Sequence, residues 1–385
     1  MSGWKGLVRD LSVLRKLAGV LSIARRIRPE GETLYSDLLS EFFSRTPHRA
    51  VLIDEQGAMS WRQLDEQANR VAHWAVAEGL QAGDVVALLM ENRSQYVAIW
   101  LGLSRVGIVT ALLNTHLSGE RLAHCVREAN TPILIVGREM LDAARSAIVH
   151  LDGPMRLFVS TRHEEETGGE ATDPSHHEEL ADFDSIVEAQ PASAVDPALR
   201  KGVRAGDGLF LIYTSGTTGL PKAARISHYK AVVTGYGSAR AQELDANDRT
   251  YCCLPLYHTA GGVMAVGAAL FSGGSLVIAR RFSASRFWSD CVQHDVTSFQ
   301  YIGELCRYLL NSPTHPDERR HRIRTVIGNG LRPEIWSSFQ KRFSIPRIVE
   351  FYGATEGNMA LVNFSGKVGA VGQLPGFLRK LIGIE

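Results

Sequence analysis

Apolar and polar positions along this chain follow two periods, one of helices and one of strands. Ser60 and Gln63 have the spacing of a capping box, and Leu64, Ala68, Val71 and Ala75 then fall on one helical face. Gly79 suits the end of that helix. Residues 85–90 form a continuous apolar run of strand length, and residues 94–106 read as a second helix. Further strands are predicted at 133–136, 209–213, 276–279, 298–301, 325–327 and 348–351. Helices are predicted at 260–271, 303–310 and 333–343. Strands interleaved with helices predict an α/β fold of mostly parallel sheets covered on both faces. No internal repeat is visible.

Two segments depart from this pattern. In residues 1–28, Trp4, Leu7, Leu11, Leu14, Leu17 and Leu21 recur at helical spacing. Seven basic residues accompany them against the single acid Asp10. The longest uncharged run there, residues 17–24, is too short to cross a bilayer, which needs roughly 20 apolar residues. The segment is expected either to lie on an anionic membrane surface as a basic amphipathic helix or to pack on protein. Residues 29–385 then form the main domain. Residues 161–182 carry eight acids against Arg162 alone and read as a solvated loop; His176 and His177 within it belong to that loop rather than to a metal site.

Composition narrows the classes. With 45% apolar residues in 385, the chain has material for a large core, in one big domain or two to three ordinary ones. A net charge of +1 argues against nucleic acid as the partner. Five cysteines without a CxxC pair argue against disulfide frameworks and cysteine zinc sites, and fit a reducing, cytoplasmic setting.

The densest chemistry lies in LFLIYTSGTTGLPK, residues 209–222. An apolar strand runs into Thr214, Ser215, Gly216, Thr217, Thr218 and Gly219, followed by Lys222. Glycines let the main chain approach a ligand, turned-in N–H groups form an anion nest, and hydroxyls and a lysine add donors. The bland alternative is a polar turn between a strand and a helix. The loop is not a Walker A loop, because Leu220 follows Gly219, nor a nucleophile elbow, because no glycine stands two residues before Ser215.

YTSGTTGLPK closely resembles the phosphate loop of the adenylate-forming superfamily, which includes acyl-CoA synthetases. Pro255-Leu256-Tyr257-His258 resembles that family's segment near the acyl pocket, and Gly328-Asn329-Gly330 its adenine-binding turn. The stretch from Phe351 through Tyr352, Gly353, Ala354, Thr355 and Glu356 to Gly357 resembles the motif whose Tyr stacks on adenine and whose Glu helps hold Mg²⁺. QYIGELCRYLL at 300–310 and YGATEGN at 352–358 resemble the fatty acid transport protein and very-long-chain acyl-CoA synthetase branch. The resemblance covers roughly residues 30–370.

It implies a large N-terminal adenylation domain of stacked, mostly parallel sheets with flanking helices. It implies ATP and Mg²⁺ as cofactors, CoA as co-substrate and a long- or very-long-chain fatty acid as substrate. Thr214, Lys222 and Glu356 take catalytic roles, with Glu356 on the metal assisted by Thr355, and Tyr257 and His258 lie by the substrate. The residues agree: Tyr352 suits the carboxyl end of a strand, where open α/β sheets bind ligands, and Glu356 is a hard oxygen donor. The family pattern continues with a ribose-binding Asp and a lid domain carrying a catalytic Lys, and Glu385 precedes both. A fragment and a shortened homologue are both open readings. So are two alternative functions, a fatty-acid uptake protein with little catalysis and an acyl-AMP ligase serving a carrier protein. A homodimer is a further candidate assembly.

Overall fold

The computed structural model describes residues 2–161, 180–215, 219–357 and 360–372, with side chains except those of residues 2–12, Leu17 and Ser215. The acidic segment with His176 and His177 lies almost wholly outside the described residues. The chain forms two compact units. One comprises Pro29–Tyr229 and Pro255–Thr259; the other comprises Met1–Arg28, Lys230–Leu254 and Ala260–Glu385.

The unit containing Pro29–Tyr229 has a hairpin of β1 (Ala50–Asp54) and β2 (Gly57–Ser60), and a larger sheet. The sheet strands are β3 (Val85–Leu89), β4 (Val109–Leu112), β5 (Ile133–Gly137), β6 (Arg156–Ser160), β7 (Ala181–Asp182), β8 (Gly208–Ser215) and β9 (Pro221–Ser227). Their order is β7-β6-β5-β3-β4-β8-β9, and β9 alone among them runs antiparallel, to β8. Leu89, Leu134 and Val136 bury against Leu122 and Val126 of helix Gly119–Ala129. Near-continuous burial of β3 to β5 is what a parallel strand covered on both faces requires. The capping box forms as the spacing predicts: Ser60 Oγ accepts from the Gln63 N–H at 3.3 Å, and the Ser60 N–H donates to Gln63 Oε1 at 2.8 Å. Helix Trp61–Ala77 follows, with Leu64, Ala68, Val71 and Ala75 buried.

The other unit is built on β10 (Arg249–Cys252), β11 (Ser275–Ile278), β12 (Ser298–Ile302), β13 (Thr325–Asn329), β14 (Ile348–Gly353) and β15 (Ala360–Val362). Within it the order is β15-β14-β13-β12-β10-β11, parallel except for β15 against β14. The predicted helix at 260–271 divides into π-helical turns, Thr259–Ala265, and an α-helix, Val266–Ser272. The pair Gly261-Gly262 weakens α-helical preference there, which is the physical reason for the difference.

Helix Ser2–Arg26 belongs to this second unit. Val13 is buried, and the partly buried Lys16 ammonium pairs with Glu243 at 2.8 Å. Leu14, Arg15, Ala18, Leu21, Arg25 and Arg26 face solvent. Among the described residues no helix is long and apolar enough to cross a membrane.

Candidate functional site

In the Pro29–Tyr229 unit the phosphate-loop motif occupies a β-hairpin. The bland alternative, a polar turn from a strand into a helix, is not what forms, because β8 pairs with β9. Thr214 on β8 lies opposite Lys222 on β9, and Ser215 lies opposite Pro221. Gly219 has φ +86°, a conformation open to glycine and costly for other residues. Gly216, Thr217 and Thr218 at the tip lie outside the described residues. The base of the hairpin is fixed from a distance. The buried Tyr213 hydroxyl donates to the Cys125 oxygen at 2.6 Å, and His124 Nε2 sits 2.9 Å from the Pro221 oxygen. Burial pushes the Tyr213 phenol up, so it stays a neutral donor. Lys222 is exposed.

The same unit holds the Pro255–Thr259 segment. The Leu256 N–H donates to Asn92 Oδ1 at 2.8 Å. Asn92 is itself framed by Glu139, which accepts from the Glu91 N–H and from Arg93, both at 2.9 Å. Burial works against the Glu139 charge, but Arg93 and the Glu91 N–H hold its carboxyl below the usual range. Tyr257 is buried, its phenol raised by desolvation and hydrogen-bonded by Thr115. The His258 ring lies 4.5 Å from the Tyr257 ring. Although one edge of His258 reaches solvent, desolvation and nearby His116 lower its basicity, so it is a neutral imidazole at neutral pH.

In the other unit, the adenine-turn and Tyr-Glu motifs share the carboxyl ends of the neighbouring strands β13 and β14. Gly328 and Asn329 end β13, and Gly330 turns with φ +81°. Only glycine fits position 328, because a Cβ there would lie 2.2 Å from the Tyr301 oxygen. Asn329 and Gly330 are exposed. Tyr352, 66% exposed, and Gly353 close β14, and the turn after them carries Thr355 and the exposed Glu356. Lys230 Nζ donates to the Thr355 oxygen. Among the described residues no three metal-binding side chains cluster.

Sequence patterns did not single out Asn92, Thr115, His116, His124, Lys230, Tyr301 or Glu350. Only Glu350 carries a local signal, as an acid inside the apolar run IVEFY.

An α/β architecture with a hydroxyl-rich hairpin in one unit and a glycine turn beside an exposed tyrosine in the other is that of an adenylate-forming domain. The model of the family described as AMP-binding enzyme matches residues 39–378, and the chain belongs to this family. It is 42% identical over 369 residues to long-chain fatty acid transport protein 1 of Rattus norvegicus, covering 94% of this chain and 55% of that protein. It is 36% identical to the medium/long-chain-fatty-acid–CoA ligase FadD6 of Mycobacterium tuberculosis, covering 87% of this chain and 53% of that one. The chain thus spans about half the length of these curated relatives. A crystal structure of the anthranilate CoA ligase AuaEII with anthranoyl-AMP shares the fold. Its TM-score is 0.79 at 21% identity, covering 92% of this chain and 66% of the other.

Proposed function

We propose that this chain is the ATP-binding domain of a fatty acid–CoA ligase. The observation that carries this reading is the pairing of the exposed Gly328-Asn329-Gly330 turn with Tyr352 on adjacent parallel strand ends. Open α/β sheets bind nucleotides at such ends, and an exposed ring there offers a face for a purine. The names of the relatives, long-chain fatty acid transport proteins and a fatty acid–CoA ligase, support a long acyl substrate.

The chemistry follows from what a carboxylate lacks. Its leaving group would be oxide, so it must be activated. Attack of a carboxylate oxygen on the α-phosphorus of ATP forms an acyl–AMP anhydride and releases pyrophosphate. The thiol of CoA then attacks the acyl carbon and releases AMP. The first step calls for positioning and charge stabilisation. By their residue types Thr214, Ser215, Gly216, Thr217, Thr218 and Gly219 would bind the β- and γ-phosphates, and Lys222 would add positive charge. Tyr257 and neutral His258 orient the acyl carboxylate. Glu356 is an exposed hard oxygen donor and fits Mg²⁺, which typically uses one or two carboxylates and completes its shell with phosphates and water. Glu356 would hold Mg²⁺ there, and the metal would supply positive charge beside the phosphates.

The test is calorimetry of ATP·Mg²⁺ on the intact chain and on a Thr217→Ala/Thr218→Ala double variant. Weakened binding is expected; unchanged affinity removes the hairpin tip from the site.

A second observation favours membrane association by the amino-terminal helix. Its inner residues pack on the protein, yet Leu14, Ala18 and Leu21 make an outward stripe beside Arg15, Arg25 and Arg26. Such a face suits an anionic bilayer surface, from which long acyl chains must be extracted.

A further inference from the structure

The adenine turn has almost no side chains of its own to hold its shape. Gly328 and Gly330 bear none, and Asn329 is exposed. The turn is held from behind by one carboxylate. Glu350, 1% exposed in the middle of β14, accepts through Oε1 from the N–H groups of Gly330 and Leu331, the latter at 3.1 Å. Through Oε2 it accepts from the hydroxyl of Tyr301, a fully buried residue of β12. One side chain therefore ties the middle of β14 to the carboxyl ends of the neighbouring parallel strands β13 and β12.

Surrounding contacts leave the turn little room to adopt another shape. A Cβ at Gly303, where the helix after β12 begins, would lie 1.8 Å from the Gly330 oxygen. Helix and turn are thus in direct main-chain contact. Leu331 is buried, so the turn is anchored on its inner side and presented to solvent on its outer side.

Glu350 and Tyr352 are two residues apart on one strand, so their side chains leave the same face. That face is covered by the turn at Glu350 and is open at Tyr352. The strand that carries the candidate stacking ring also carries the anchor of the turn beside it. A buried carboxylate is costly to leave unpaired, and the three donors answer that cost. Burial raises the Glu350 carboxyl, and the hydrogen bonds from Tyr301, Leu331 and Gly330 support its charge.

We propose that Glu350 is a positioning residue for base recognition. With Tyr301 it fixes the main chain of the Gly328-Asn329-Gly330 turn at the spacing from Tyr352 that an adenine ring needs. The inference rests on the nucleotide-binding reading above and goes beyond it. It separates affinity for the base, set by Glu350, from affinity for the phosphates.

The experiment compares two ligands by calorimetry on the full chain: ATP·Mg²⁺, and inorganic tripolyphosphate·Mg²⁺, which has phosphates and no base. Glu350→Ala is expected to weaken ATP binding by about tenfold or more, the scale of a lost hydrogen bond to a charged group. Tripolyphosphate binding should stay unchanged. Glu350→Gln keeps an acceptor for both N–H groups and should bind ATP within about threefold of the unaltered chain, while Tyr301→Phe should fall between. Full ATP affinity in Glu350→Ala, or equal losses for ATP and tripolyphosphate, overturns the inference. If Glu350→Ala does not fold, Tyr301→Phe decides, and undiminished ATP affinity there overturns it too. Failure of the unaltered chain to bind ATP overturns the proposed function and this inference together. ATP binding that Glu350→Ala leaves intact overturns the inference alone.

Discussion

The ammonium of Lys230 donates a hydrogen bond to the main-chain oxygen of Thr355 at 2.7 Å. Burial lowers the basicity of Lys230, and the charge of Glu356 works in the opposite direction. The first turns of helix His228–Gln242 thus brace the loop that carries the candidate metal ligand. Glu356→Gln keeps the shape and removes the charge. It is expected to raise the Mg²⁺ concentration needed for ATP binding by about tenfold while leaving fatty-acid binding unchanged, since a neutral amide is a weak partner for a hard cation. A magnesium titration identical to that of the unaltered chain would remove Glu356 from the metal site.

His228 sets a pH limit on stability. It is fully buried, and Nδ1 accepts from the Tyr35 N–H at 3.3 Å. Burial pushes its imidazole from 6.5 down to about 4, with Arg200 adding to the effect. The folded state therefore holds the neutral form, and protonation favours unfolding. Stability is complete above the unfolded pKa and declines as pH falls from 6.5 toward 4, by about 2 kcal/mol near pH 5. Urea unfolding at neutral and mildly acid pH should show that decline, and His228→Gln should flatten this part of it. An equal decline in the variant would assign the acid sensitivity to other groups.

Gly102 lies where helices Trp61–Ala77 and Ser94–Arg105 cross closely. A Cβ there would lie 2.5 Å from the Ala68 oxygen and 2.6 Å from Val71 Cβ. Alanine gains roughly 1 kcal/mol of helix propensity, but overpacking a close-packed site typically costs 1–3 kcal/mol and forces main chain apart. Gly102→Ala should therefore lower the thermal midpoint. An unchanged or higher midpoint would mean the two helices separate without cost.

The outer stripe of the first helix is tested without removing its packed face. Leu14→Glu/Leu21→Glu should abolish sedimentation with phosphatidylserine vesicles and leave the thermal midpoint near that of the unaltered chain. Both positions face solvent, where substitutions usually shift stability by less than about 0.5 kcal/mol. Vesicle binding that survives both substitutions, or that raised salt does not weaken, rejects the electrostatic tether.

Local periodicity determined a good deal. The Ser60–Gln63 box and the apolar face from Leu64 to Ala75 were readable because a capped helix writes its hydrogen bonds and its burial into residues three and four apart. Strands β3, β5, β8, β11, β12, β13 and β14 were readable because both-face burial requires unbroken apolar runs, whereas β4, β6, β7 and β9 were not among the predicted strands. The hydroxyl and glycine cluster after Tyr213 marked a candidate phosphate loop because its residue types are local to the loop. Its form was not readable: strand β9 leaves Lys222 and Arg225 exposed, buries Ala224 and Ile226, and pairs back on β8.

The sequence by itself determined the fold class and the candidate segments for the chemistry. Only the tertiary structure decided what holds those segments in place. Asn92 reaches Leu256 across 164 positions, Lys230 reaches Thr355 across 125, and Tyr301 reaches Glu350 across 49. A hydrogen bond between residues so far apart leaves no periodic trace in the chain. It exists because parallel strands bring their carboxyl ends, and the loops that follow them, to one edge of a sheet, where distant side chains meet the main chain of the site.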